Sequence, residues 1–162
     1  MSDGIKRSAA FSPCRTWRYT LERYWGHGPH LLLILLNPST ADETYDDPTN
    51  RRGQSFARAW GYKGVVFCNL FAYRTPYPKE MKAATDPVGP DNDGHIMRQA
   101  DMAGQVVVAW GAHGGYRDRH AEVLDLLRNR NIDPKCFGLT KRGYPKHPLY
   151  LRADTKLKAM KL

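Results

Sequence analysis

The chain has 162 residues, enough for one domain with a core of ordinary size, and its 41% hydrophobic content excludes a disordered polymer. No apolar run approaches the roughly 18 residues that span a bilayer, and residues 1–10 lack the apolar stretch of a secretory leader, so the expectation is a cytoplasmic protein with no membrane contact. A net charge of +9 favours a polyanionic partner, because clustered Lys and Arg bind phosphate backbones through counterion release.

In chain order, residues 1–14 are expected to form a flexible amino terminus. Residues 15–25 alternate apolar and polar side chains up to the turn at His27-Gly28-Pro29, the pattern of a half-exposed antiparallel edge strand. Residues 31–36 are six unbroken aliphatics stopped by Asn37-Pro38, which predicts a strand buried on both faces and therefore parallel. A helix over 54–60 ends at Gly61, and a second buried strand spans 65–70. The proline-rich loop 72–90 is too long to be an idle connection. Asp91 then caps a helix reaching Met102, a third strand covers 105–110, a helix with Ala121, Leu124 and Leu127 on one face covers 117–130, and a weaker strand covers 135–139.

This alternation specifies one α/β domain over 1–162. It is a three-layer sandwich around a central, mainly parallel four-stranded sheet with an amino-terminal antiparallel edge strand. Cys14, Cys68 and Cys136 are odd in number and far apart, which supports neither a disulfide framework nor a zinc site; Cys68 and Cys136 are expected in the core.

Ligands of such folds bind beyond the carboxyl ends of the strands. There the polar segments after each strand converge: residues 37–42, Asn69, Gly111-Ala112-His113-Gly114, and residues 140–147. Three basic groups follow strands as well: Arg51, Arg52, Arg58 and Lys63; Arg117 and Arg119; Lys141, Arg142, Lys146 and Arg152. The glycine-rich turn after residue 110 matches neither a Walker loop nor a dinucleotide fingerprint. Asp42, Asp46, Asp47 and His113 lack a recognised metal-ligand spacing, so neither metal nor organic cofactor is expected.

The blocks Asn37-Pro38-Ser39-Thr40-Ala41-Asp42, Asp47-Pro48-Thr49-Asn50-Arg51-Arg52, Asn69-Leu70-Phe71-Ala72-Tyr73-Arg74, Asp86-Pro87-Val88-Gly89-Pro90, Trp110-Gly111-Ala112-His113-Gly114 and His147-Pro148-Leu149-Tyr150-Leu151 resemble those of a bacterial and phage family of unknown function. Their order distantly resembles the uracil-DNA glycosylase superfamily, in its mismatch-specific and thymine-DNA branch. Leu36-Asn37-Pro38-Ser39 is similar to the motif that holds the attacking water, and His147-Pro148-Leu149-Tyr150 is similar to the loop that enters the minor groove. Position 37 carries Asn rather than Asp.

That resemblance implies a uracil-DNA glycosylase-like fold and hydrolytic removal of a damaged or modified base. Breaking an N-glycosidic bond builds positive charge on the sugar and negative charge on the departing base, so the site needs a held water, an acceptor near the sugar and a donor near the base. Asn37 would hold the water, Asp42 or Asp46 would supply negative charge, and His147 or His113 would stabilise the leaving base. Asn69 offers the donor and acceptor that read an amide-like base edge, and Ser39, Asp46, Asp47, Asn50, Trp110 and Tyr150 complete the substrate-binding set. Arg51, Arg52, Lys141, Arg142 and Lys146 are the expected contacts to a nucleic-acid backbone, DNA before RNA, with no obligate protein partner. A noncatalytic base-binding module and a small nucleoside hydrolase use the same residues and stay open as alternatives.

Overall fold

The computed structural model describes residues 4–160. Its strands are β1 (Lys6–Phe11), β2 (Arg18–Tyr24), β3 (His30–Leu35), β4 (Gly64–Asn69), β5 (Gln105–Val108), β6 (Lys135–Cys136) and β7 (Lys158–Ala159). Its helices are α1 (Pro48–Ala59), α2 (Pro78–Ala83), α3 (Asn92–Met102) and α4 (Arg119–Asn129). The strands form one mixed seven-stranded sheet in the order β1-β2-β4-β3-β5-β6-β7.

The centre of that sheet is parallel, with β3 between β4 and β5 and β6 beyond β5. Antiparallel strands close both sides: β2 and β1 next to β4, and β7 next to β6. Aliphatic residues make β3 fully buried because it is covered on both faces. Leu31, Leu33 and Leu35 join Phe56 and Ala57 of α1, whereas Leu32 and Ile34 join Ile96 of α3 and Leu124 and Leu127 of α4. Each of these side chains except Ala57 contributes about 1.5–3 kcal/mol relative to exposure.

Helix α1 begins six residues before the expected start at 54, for a reason written in the sequence. Asp47 caps it, its Oδ1 accepting from the Asn50 amide at 2.8 Å, and Pro48 occupies the first turn, where its missing N–H costs nothing. Gly53 then lets the helix lie against the sheet: a Cβ there would meet the Phe67 ring at 2.5 Å.

Several other expectations are corrected. The expected edge strand, residues 15–25, is the interior strand β2, because residues 6–11 form the edge strand β1 instead of a flexible terminus; residues 1–3 lie outside the described residues. Loop 72–90 contains α2. Asp91 precedes α3, but its side chain makes no capping bond. Helix α4 starts at Arg119 rather than 117, because Arg117 (φ 54°) and Asp118 (φ 53°), at the end of the segment Ala112–Asp118, are left-handed and break the chain before it. The strand expected at 135–139 keeps two residues. Cys68 and Cys136 are buried, as expected. Among the described residues no helix is long and apolar enough to cross a membrane.

Candidate functional site

A cleft of about 420 Å³ opens at the carboxyl edge of β3, β4 and β5. Its lining brings together Asn37 and Ser39 after β3, Asn69 at the end of β4, Trp110 and His113 after β5, and His147 and Tyr150 from the last long loop. Asp47 and Asn50 enter from the start of α1. Thr75 and Pro76 show that loop 72–90 contributes a wall.

Asn37 is oriented by its surroundings. Its Nδ2 donates to the carbonyls of Thr75 (2.7 Å), Pro38 (3.2 Å) and Tyr73 (3.5 Å), and only a nitrogen satisfies three acceptors. Among the described residues no donor reaches its amide oxygen.

Asn69 is the opposite case. It is 1% exposed, and neither Oδ1 nor Nδ2 has a partner among the described residues. Burying an amide without partners costs about 1–3 kcal/mol, so its retention at the cleft is informative. Nδ2 of Asn50 and Nε1 of Trp110 are also buried and unpartnered on the same cleft. Trp110 is held in place by backbone shape, since a Cβ on Gly114 would overlap its indole ring.

His147 accepts from the Leu149 amide at Nδ1, 3.2 Å away, which puts the proton on Nε2. Burial lowers its pKa below the ordinary histidine value, partly opposed by the nearby Asp47 carboxylate. At neutral pH it is a neutral donor. His113 is exposed at the rim, its pKa lowered first by burial and then by Lys82.

The acidic residues divide. Asp42 lies outside the cleft lining; its Oδ1 accepts from the Thr44 and Tyr45 amides at 2.8 Å, Arg74 lies 3.9 Å away, and the Tyr45 amide leads the causes that lower its pKa. Asp46 also lies outside, paired with Arg23 Nε at 2.9 Å and accepting from Gln54 at 3.2 Å. Both carboxylates hold the 42–47 turn in shape. Asp47 lines the cleft but accepts from the Ala41 and Asn50 amides.

The basic residues divide too. Lys141, Arg142 and Lys146 are exposed and have no ion pair among the described residues. Arg51 is exposed as well, with a weak reach to the Asp46 carbonyl at 3.4 Å. Arg52 is committed to structure, donating to the Leu151 carbonyl and stacking 4.7 Å over the Phe56 ring. Tyr150, 94% exposed, stands at the rim.

Arg18 is the charged lining residue that sequence reasoning missed. Two features put it there. β2 runs antiparallel to β4, so its first residue lies at the carboxyl edge. The β1–β2 register slips between Ala10 and Phe11, and the extra residue in β2 places Arg18 on the α1 face, where its Nη1 donates to the Ala41 carbonyl at 2.8 Å.

A profile for a protein family of unknown function, DUF1643, matches residues 18–149. The chain belongs to this family. The match runs from Arg18 to Leu149 and so encloses every cleft residue named above except Tyr150. No curated protein and no solved structure matches the chain.

Proposed function

We propose that the cleft is a nucleobase pocket and that the protein acts on nucleic acid as a hydrolytic N-glycosylase of a damaged or modified base. The observation that carries this reading is Asn69, whose buried donor and acceptor have no partner among the described residues and complement the paired groups on a base edge. The distant resemblance to the uracil-DNA glycosylase superfamily agrees with it in the order of the motifs.

In this reading the Asn37 amide oxygen holds a water against the sugar. The glycosidic bond breaks with its electron pair moving to the base nitrogen, and the water oxygen bonds to the sugar carbon. An amide cannot take the water's proton, so cleavage leads and water capture follows, the proton passing to solvent. Nε2–H of His147 donates to the departing base as its charge grows. Arg51, Lys141, Arg142 and Lys146 hold the backbone, while Tyr150 fills the stack that the base leaves.

A second reading, a noncatalytic module that binds a modified base, is favoured by one observation: Asp42 and Asp46 are engaged away from the cleft and Asp47 caps α1. A small-nucleoside hydrolase would show no steep salt dependence. The deciding experiment incubates the protein with oligonucleotides bearing damaged and modified bases, with mass spectrometry of released base. Release that disappears in Asn37→Ala and Asn69→Leu supports the glycosylase. Retention of one oligonucleotide without release selects the binding module, and action on free nucleosides alone rejects a polymer substrate.

A further inference from the structure

Three arginines are buried, and two of them have carboxylates. Arg23 pairs with Asp46, and Arg119 with Asp93 and Glu122. Arg18, 4% exposed, has no carboxylate oxygen within 4.0 Å among the described residues, and its Nε has no partner. It is also the one of the three that lines the cleft.

A buried cation without a counterion is expensive, and proteins rarely retain one unless something else supplies the charge. Asp47 keeps its charge and acts on Arg18 at a distance, but its oxygens lie beyond 4.0 Å, so among the described residues the guanidinium has no direct ion pair. Burial pulls the Arg18 pKa down to about 10, which still leaves the guanidinium charged at neutral pH. The unpartnered buried atoms around it are unbalanced as well. Arg18 Nε, Asn50 Nδ2, Asn69 Nδ2 and Trp110 Nε1 are donors, and Asn69 Oδ1 is the lone acceptor.

We propose that Arg18 forms an oxyanion subsite within the cleft, so that the bound molecule is an acceptor-rich ring or nucleotide presenting a negatively charged oxygen to this guanidinium. The inference rests on the base-pocket reading for its location but not on glycosidic cleavage. A charged oxygen opposite Arg18 gives the shorter, stronger charge-assisted bond, and the neighbouring amide and indole donors take the remaining ring oxygens. At a buried guanidinium this contact discriminates by charge and not only by shape.

The test is calorimetric binding to the purified protein at matched ionic strength. Orotate, a dioxo ring bearing a carboxylate, is compared with neutral orotamide of nearly the same shape, and with inorganic phosphate. The expected result is that orotate or phosphate binds, that orotamide binds about tenfold or more weakly than orotate if the charge is ring-borne, and that Arg18→Gln erases the response. The better of the two anions tells whether the oxyanion belongs to the ring or to a phosphate. Binding of neither anion, or an anion response unchanged in Arg18→Gln, overturns the subsite. If Arg18→Gln does not fold, Arg18→Lys is the second variant: the planar fork is lost while the charge is kept, so weakened orotate or phosphate binding supports the subsite and unchanged binding overturns it. Base release from oligonucleotides is scored separately, so loss of that activity with retained anion binding condemns the glycosylase reading alone.

Discussion

The amino end of α3 and the cleft both bury asparagine beside arginine, and they use the pair in opposite ways. At α3, Asn92 Nδ2 donates to the Asn69 carbonyl (2.9 Å) and the Leu70 carbonyl (3.1 Å), and Arg119 Nε donates to that same Leu70 carbonyl at 2.8 Å while its other nitrogens reach Asp93 and Glu122. Of these groups, the Asn92 amide oxygen is left without a donor among the described residues. In the cleft, Asn69 has no side-chain partner at all, and Arg18 has one carbonyl and no carboxylate. The same two residue types thus tie the end of β4 to α3 in one place and face an open volume in the other. Where the polar groups are spent on backbone carbonyls they hold the fold, and where they are withheld they point to a ligand.

The largest expected effect comes from breaking the satisfied pair. Arg119→Met removes the donor to Leu70 and strands no buried carboxylate, because Asp93 and Glu122 are about half exposed or more. The loss should be about 1–3 kcal/mol in urea unfolding, with Asn92→Leu in the same range. Unchanged stability in both variants would erase the contrast with the cleft.

Much of this arrangement was legible in the sequence. The strands β3, β4 and β5 declare themselves by the unbroken aliphatic run at 31–36 and the largely apolar runs at 65–70 and 105–110, and their parallel order brings Asn37, Asn69, Trp110, His113 and His147 to one edge. Asp46 and Asp47 read as substrate-binding residues because an acidic pair looks like chemistry. The Asp47-Pro48 step, a capping residue followed by a first-turn proline, is the signal that assigns Asp47 to a helix start. Arg18 was illegible for a different reason. Alternation reads a strand's faces by parity, and the register slip in β2 reverses that parity just where Arg18 stands.

The second expected effect sharpens the comparison by its sign. Asn69→Leu replaces a buried, unpartnered amide with an apolar side chain of similar size, so stability should stay within about 0.5 kcal/mol of the parent or rise, while base release or base binding is lost. A destabilisation as large as that of Asn92→Leu would make Asn69 a structural residue and remove the main support for the pocket.

The third concerns pH. His147 and His30 both have folded pKa values lowered first by burial, so the unfolded chain binds protons that the native state refuses. Stability from these groups is complete above the ordinary histidine value of about 6.5 and is lost as pH falls through the lowered folded values. The two differ in what protonation breaks. At His30, Nδ1 faces the Tyr24 hydroxyl at 3.0 Å in the core, whereas at His147 a proton on Nδ1 expels the Leu149 amide and loosens the loop that carries Tyr150. Activity or binding should therefore decline on the acid side, and His147→Asn, which keeps an acceptor for Leu149, should flatten that decline while leaving the acid dependence of stability from His30 in place. A decline that persists unaltered in His147→Asn would assign it elsewhere.

The smallest effects separate basic residues that point to solvent from one that does not. Lys141, Arg142 and Lys146 are exposed and unpaired among the described residues, so replacing any one of them should weaken oligonucleotide binding and reduce the slope of log affinity against log salt by roughly 1. Arg52 already spends its guanidinium on the Leu151 carbonyl and the Phe56 ring, which fixes the last loop against α1. Arg52→Gln should leave the slope nearly unchanged and lower thermal stability instead, because the loop loses its anchor and the aromatic ring its cover. Equal slope changes for Arg52 and Arg142 would show that local hydrogen bonding does not decide which arginines meet phosphate. Binding that is unchanged between about 50 and 200 mM salt would remove the polymer from the reading and leave the cleft to a small molecule.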